Sequence, residues 1–160
     1  MDVRYINPFL SSIKNVFEKM LRVPYRLGKP EVQGGEGSQY DVSALIGLSG
    51  GVTGCVVLCL SESTALALAS ALAGQRLKEI DADATDAIGE IVNMIAGSAK
   101  KDFPGEYSAV SLPTVVCGRH KMSYVRGIPI VKIPCEMDEG GMAVEVVLRL
   151  GSRGAALVPA

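Results

Sequence analysis

The sequence contains one histidine, His120, no CxxC pair, and no run in which Lys or Arg alternates with aromatic residues; each gap removes a class of chemistry. With a single imidazole, Ser-His or Cys-His catalysis would rest wholly on His120. That residue lies in the loop-like Gly118-Arg119-His120-Lys121 with no nucleophile beside it in the sequence, so an exposed loop residue is the expected role. Cys55, Cys59, Cys117 and Cys135 fall inside apolar, strand-like runs without neighbouring histidine, which predicts buried reduced thiols rather than a metal or redox site. The 16 basic and 17 acidic residues nearly cancel, and the electrostatic footprint of a DNA- or RNA-binding protein is missing. Residues Met1 to Pro8 have no basic region leading into a continuous apolar core, so no secretory signal is expected and the location expected is the cytoplasm. The uncharged stretch from Ala44 to Leu60 approaches the roughly 17-residue lower limit of a membrane span. Its Ser49-Gly50-Gly51 centre and β-branched flanks predict a hairpin instead, and no membrane partner is expected. The Gly-rich segment Gln33 to Ser38 lacks the lysine and the following Ser or Thr of a phosphate-binding loop and reads as a flexible connection.

What is present is ample material for a core. Hydrophobic residues make up 48% of the 160 and charged residues 21%, which predicts one domain over 1–150 and a flexible tail without periodic pattern over 151–160. Asn7 and Pro8 read as the N-cap and first position of a helix whose apolar series is Phe9, Leu10, Ile13, Val16, Phe17, Met20 and Leu21, ending before Pro24. An extended segment near Tyr25 to Val32 follows, then two strand-like runs, Tyr40 to Leu48 and Val52 to Leu60, joined through Gly50-Gly51. Ser63 reads as the cap of an Ala/Leu-rich helix stopping at Gly74. Asp81 or Asp83 opens the most regular helix, which reaches about Lys101, carries acids in its first turn and Lys100 and Lys101 in its last, and closes at Phe103-Pro104-Gly105. Three further extended runs are expected at Ser108 to Cys117, Gly127 to Cys135 and Met142 to Leu150; in the last, Met142, Val144, Val146, Leu148 and Leu150 share one face.

The halves match as helix, extended segment and Gly-Gly hairpin, which suggests an internal duplication. The expected fold is α+β: an antiparallel or mixed sheet of about six strands covered by helices.

The third helix carries the candidate chemistry. At about 100° per residue, Ile88, Ile91, Val92 and Ile95 gather on one side, while Asp86, Glu90, Asn93 and Gly97 form a narrow stripe on the other. Any amphipathic helix has a polar face, and an isolated E-x-x-N is a weak motif. The surroundings argue for more: Gly89 and Gly97 each cost about 1 kcal/mol against Ala in a helix interior. Asn93 is itself a poor mid-helix residue, because its side chain competes for backbone hydrogen bonds. Glycines flanking the stripe would let another protein's backbone come close.

The pattern Asp86-x3-Glu90-x2-Asn93-x3-Gly97 resembles the signature of the CheC, CheX and FliY phosphatases of bacterial chemotaxis. Tyr5-Ile6-Asn7-Pro8-Phe9, the stretch Leu112 to Gly118 and Ile133-Pro134 resemble CheX in particular, and the likeness runs from about Asp2 to Leu150. The resemblance implies a CheC-like fold, a phosphatase acting on the aspartyl phosphate of a CheY-type response regulator, and a homodimer. It implies catalytic roles for Asn93, orienting the attacking water, and for Glu90, pairing with the lysine of the receiver. Asp86, Gly89, Met94 and Gly97 would contribute helix geometry and partner contact. The magnesium ion would belong to the receiver, leaving this chain with no cofactor of its own. CheC carries the signature in both halves; here the matching positions of the first helix are Asn7, Ser11 and Lys14, which implies one active site per chain. The competing expectation is a non-catalytic scaffold of the same fold that binds receivers without hydrolysing them.

Overall fold

The computed structural model describes residues 2–34, 36–105 and 107–151, so the expected tail lies outside it beyond Gly151. Helix α1 spans Val3–Asn15. Its cap is Asp2, whose carboxylate accepts from the Arg4 amide at 2.9 Å, rather than Asn7, and Pro8 lies inside the helix. The earlier start has a tertiary cause: Tyr5 and Ile6 already pack on the core, and the Tyr5 hydroxyl donates to the Pro104 carbonyl at 3.1 Å. Val16–Leu21 continues as a π-helical turn, which changes the phase of the apolar series. Phe17 and Leu21 are therefore buried while Met20 is exposed.

The extended segment near Tyr25 breaks into β1 (Arg26–Leu27) and β2 (Glu31–Gln33). Strand β3 (Glu36–Gly50) starts inside the segment expected to be a flexible loop, because Glu36 and Gln39 pair with Ser123 and Lys121. It turns through Gly50-Gly51 into β4 (Val52–Leu60), as the sequence predicts. Helix α2 (Glu62–Ala73) is capped by Ser61 rather than Ser63, whose hydroxyl is spent on the Glu139 carbonyl at 2.7 Å. Helix α3 (Ala82–Lys101) is capped by Asp81, which accepts from the Ala84 amide at 2.9 Å.

The run expected over Ser108 to Cys117 is two strands, β5 (Ser108–Val110) and β6 (Thr114–Ser123), so His120 sits in a strand rather than a loop. The loop-like composition marks a β-bulge: Tyr40 faces His120 but Val42 faces Cys117, and Gly118 takes φ 100 within the extra residue. Strands β7 (Ile130–Met137) and β8 (Gly140–Leu150) form the last hairpin.

Among the described residues eight strands make one antiparallel sheet in the order β1-β7-β8-β4-β3-β5, with β2 also on β7 and β6 also on β3. The two hairpins meet at β4 and β8. The outer strands of each half pair with the hairpin of the other half, so the halves interlock rather than sit side by side. One face, with Ile46, Leu58, Ile133 and Val144, joins Phe9, Phe17, Leu68, Ile88 and Ile95 from the helices in a core that excludes water. Each such side chain contributes about 1.5–3 kcal/mol on burial. The opposite face is closed as well: Val57, Cys59 and Glu145 are fully buried there. Leu150, expected to continue the apolar face of β8, is exposed. Of the thiols, Cys59 and Cys135 are buried, Cys55 is half-buried and Cys117 is exposed, so the expectation of four buried thiols holds for two.

Candidate active site

Helix α3 is held from several sides, which makes its outer face a fixed platform. Ala84, Ile88, Ile91, Val92, Ile95 and Ala99 are buried against the core, and α1 and α2 both pack on it. The buried Ser12 hydroxyl of α1 donates to the Ile95 carbonyl at 2.7 Å, pinning the two helices together.

The stripe read from the sequence stands on the outer face. Asp86 and Glu90 are exposed, and Asn93, Met94 and Gly97 are half-buried. Three residues apart on a helix, Glu90 and Asn93 are surface neighbours. Neither the Glu90 carboxylate nor the Asn93 amide has a hydrogen bond or ion pair among the described residues. A carboxylate and a carboxamide thus stand together with their polar atoms uncommitted, the amide able to donate and to accept.

Two of the expected contact residues also touch other parts of the chain. Gly89 is buried, and a Cβ there would lie 3.3 Å from Pro113 Cγ, so the space expected for a partner's backbone is filled by the chain itself. Met94 packs partly against the core. Gly97 has nothing within 4 Å of a Cβ position and leaves the open clearance that the sequence predicts. A shallow cleft of about 540 Å³ beside Glu90 is lined by Thr85, Asp86, Gly89, Pro113 and Val115. On α1 the matching positions Asn7, Ser11 and Lys14 are exposed but supply no acid and amide pair.

Sequence reading missed the partner of His120. Its Nδ1 lies 2.6 Å from the Gly118 carbonyl, and because a carbonyl only accepts, Nδ1 carries the hydrogen. In the neutral ring Nε2 then accepts from the Ser43 hydroxyl, also at 2.6 Å. The pairing is across strands and so invisible to local spacing. It does not make a nucleophile of Ser43, which is fully buried where no acyl group could reach it. Among the described residues no three His, Cys, Asp or Glu side chains gather as a metal site would require, and no helix is long and apolar enough to cross a membrane.

Comparison with known proteins bears on this geometry. The family model described as chemotaxis phosphatase CheX matches residues 42–136. The CheY-P phosphatase CheX of Thermotoga maritima is 31% identical over 137 residues, covering 84% of this chain and 88% of that protein. The crystal structure of a CheC-like superfamily protein from Shewanella sp. PV-4 is similar at a TM-score of 0.85 with 29% identity, over 93% of this chain and 99% of that one. A structure from Borrelia burgdorferi, a CheX–CheY complex with BeF3 and magnesium, is similar at a TM-score of 0.78 with 26% identity, over 91% of this chain and 97% of that one.

Proposed function

The chain belongs to the CheX family of chemotaxis phosphatases, and on that premise we propose that it dephosphorylates a CheY-type response regulator through Glu90 and Asn93. The observation that carries the assignment is the uncommitted carboxylate and carboxamide on the outer face of a rigid helix.

Hydrolysis of an aspartyl phosphate passes through a loose, in-line transition state, so it needs placement and charge stabilisation more than a strong base. Asn93 enters the receiver's active site, where its amide accepts from and donates to one water and fixes it opposite the bond to be broken. The water oxygen bonds to phosphorus as the phosphorus–carboxylate bond breaks, releasing aspartate and, after proton loss from the water, inorganic phosphate. Glu90 pairs with the lysine by which the receiver holds the phosphoryl group, setting the register of the two proteins. The anionic carboxylate is a poor nucleophile beside phosphate. Magnesium is the receiver's, in the acidic pocket around its phosphorylated aspartate, and this chain works without a cofactor of its own.

The same reading makes the protein a single-domain cytoplasmic enzyme and a homodimer. The outer edge of β6, paired only with β3 among the described strands, offers free backbone groups to a second copy.

The test is direct. Receivers are phosphorylated with a small phosphodonor, and loss of phosphate is followed with wild type and with Asn93→Ala. Accelerated decay with wild type alone is the expected result. Equal decay with and without the protein, across every receiver tried, favours the scaffold.

A further inference from the structure

Leu112 is the most exposed large hydrophobic residue among those described, at 88%. It does not sit on a loose loop. The preceding Ser111 donates its amide to the Gly47 carbonyl at 2.9 Å and accepts from the Gly47 amide through its hydroxyl at 2.8 Å. The following Pro113 packs into the gap left by Gly89 and walls the cleft beside Glu90. The backbone on both sides of Leu112 is held in place, so its exposed side chain is presented at a fixed position where a partner can cover it.

Its surroundings say what covers it. From Ser108, whose carbonyl accepts from Lys100 at 3.2 Å, to Pro113 against Gly89, the chain runs back along α3. Five extended steps and eleven helical ones each span about 16 Å, so this segment borders the whole length of the Glu90–Asn93–Gly97 stripe. Tyr107, 79% exposed with the Lys100 ammonium 4.8 Å from its ring centre, stands at the far end. The stripe is thus flanked by an exposed leucine near one end and an exposed tyrosine at the other.

We propose that residues 107–113 form a docking rail for the response-regulator receiver, with Leu112 as its anchor. The occupant follows from continuity: a receiver seated with its phosphoaspartate over Asn93 must cover the cleft beside Glu90, one wall of which is Pro113, the residue next to Leu112. The inference rests on the phosphatase reading and adds to it a source of affinity separate from the chemistry. Leu112 touches no reacting atom and acts by positioning.

The experiment measures binding and turnover separately. For wild type, Leu112→Ala and Leu112→Asp, dissociation constants are measured with a CheY-type receiver loaded with beryllofluoride and magnesium, and KM and kcat with the phosphorylated receiver. Circular dichroism melts check that each variant folds. Leu112→Asp is expected to weaken binding and raise KM by about tenfold or more, because a charge replaces an apolar contact that the receiver covers, with kcat within twofold of wild type. Unchanged binding in a folded Leu112→Asp variant overturns the rail, as does a fall in kcat at constant KM. Should wild type bind the loaded receiver but hydrolyse nothing, the phosphatase reading fails while the Leu112 binding result still decides the rail; should it bind none, both fall.

Discussion

Glu90 and Glu145 are the same side chain in opposite surroundings. Glu90 stands in solvent on α3 beside Asn93, without a partner among the described residues. Glu145 is fully buried on the sheet face away from the helices. There the Tyr124 hydroxyl donates to it at 2.5 Å and the Tyr40 hydroxyl makes a longer contact at 3.5 Å. Lys132, directly opposite in the register, reaches the Ser38 hydroxyl instead. Tyr40 comes from the end of β3 that pairs with β6, and Tyr124 from the residue after β6, so one carboxyl group ties the curled outer strands onto the sheet. The lesson is that satisfaction, rather than residue type, separates structure from function: a buried acid with its hydrogen bonds made holds the fold, while an exposed acid with none is free for another molecule.

The contrast breaks most visibly at Asn93. Asn93→Ala is expected to lower receiver dephosphorylation about 100-fold, the scale of losing a positioned reactant. Removing Asn from a helix interior should leave stability unchanged or raised by up to about 0.7 kcal/mol. Phosphate release and urea denaturation on the same preparation check both halves. A variant that loses activity only in proportion to lost fold would remove Asn93 from the chemistry.

Glu145 should behave in the reverse manner. Glu145→Leu leaves the half-buried Tyr124 hydroxyl without its acceptor and is expected to cost about 1 kcal/mol, while Glu145→Gln, which keeps one carbonyl oxygen, costs less. Activity at saturating receiver should stay within twofold for both. If Glu145→Leu abolished turnover in a protein of wild-type stability, the division between the two faces would be gone.

Alkaline titration probes the two tyrosines on Glu145 and a third, Tyr25, on Glu18. Burial, with the nearby Glu145, pushes the Tyr124 and Tyr40 hydroxyls above their ordinary range, and burial with Glu18 pushes Tyr25 up to about 12. A folded-state pKa above the unfolded one means that the neutral form is favoured by folding. The associated stability is complete below the unfolded tyrosine value of about 10 and drains away as pH rises beyond it. Denaturation midpoints at a series of alkaline pH values should fall, and the fall should be shallower in Tyr124→Phe.

The local part of this molecule was legible in its sequence, and the long-range part was not. The 3.6-residue period of Ile88, Ile91, Val92 and Ile95 put Glu90 and Asn93 on the opposite face, and α3 carries them so. The Gly50-Gly51 hairpin and the stop at Gly74 needed only turn chemistry, the latter confirmed by φ 68. What local pattern could not supply was pairing between distant segments. The Gly118 to Lys121 stretch looked like a loop until β3 supplied its partner, and Gly89 looked like clearance for another protein until Pro113 filled it. Helix α1 began earlier than Asn7 because Tyr5 had a distant carbonyl to reach. In each case a contact far away in sequence overrode the local signal.

Gly97 and Gly89 give the finest form of the comparison, since both are glycines on one helix and only one faces open space. Alanine at either position gains up to about 1 kcal/mol of helix propensity. At Gly97 nothing stands within 4 Å of the new methyl group, so the full gain should appear as a higher denaturation midpoint. At Gly89 the methyl group would meet Pro113 Cγ at 3.3 Å, and the proline must yield by a few tenths of an ångström, so less of the gain survives. Function should move the other way at Gly97: if its missing side chain is there to admit the receiver, Gly97→Ala raises KM severalfold in a protein more stable than wild type. A stabilised Gly97→Ala enzyme with unaltered KM would mean that this stretch of α3 lies outside the contact.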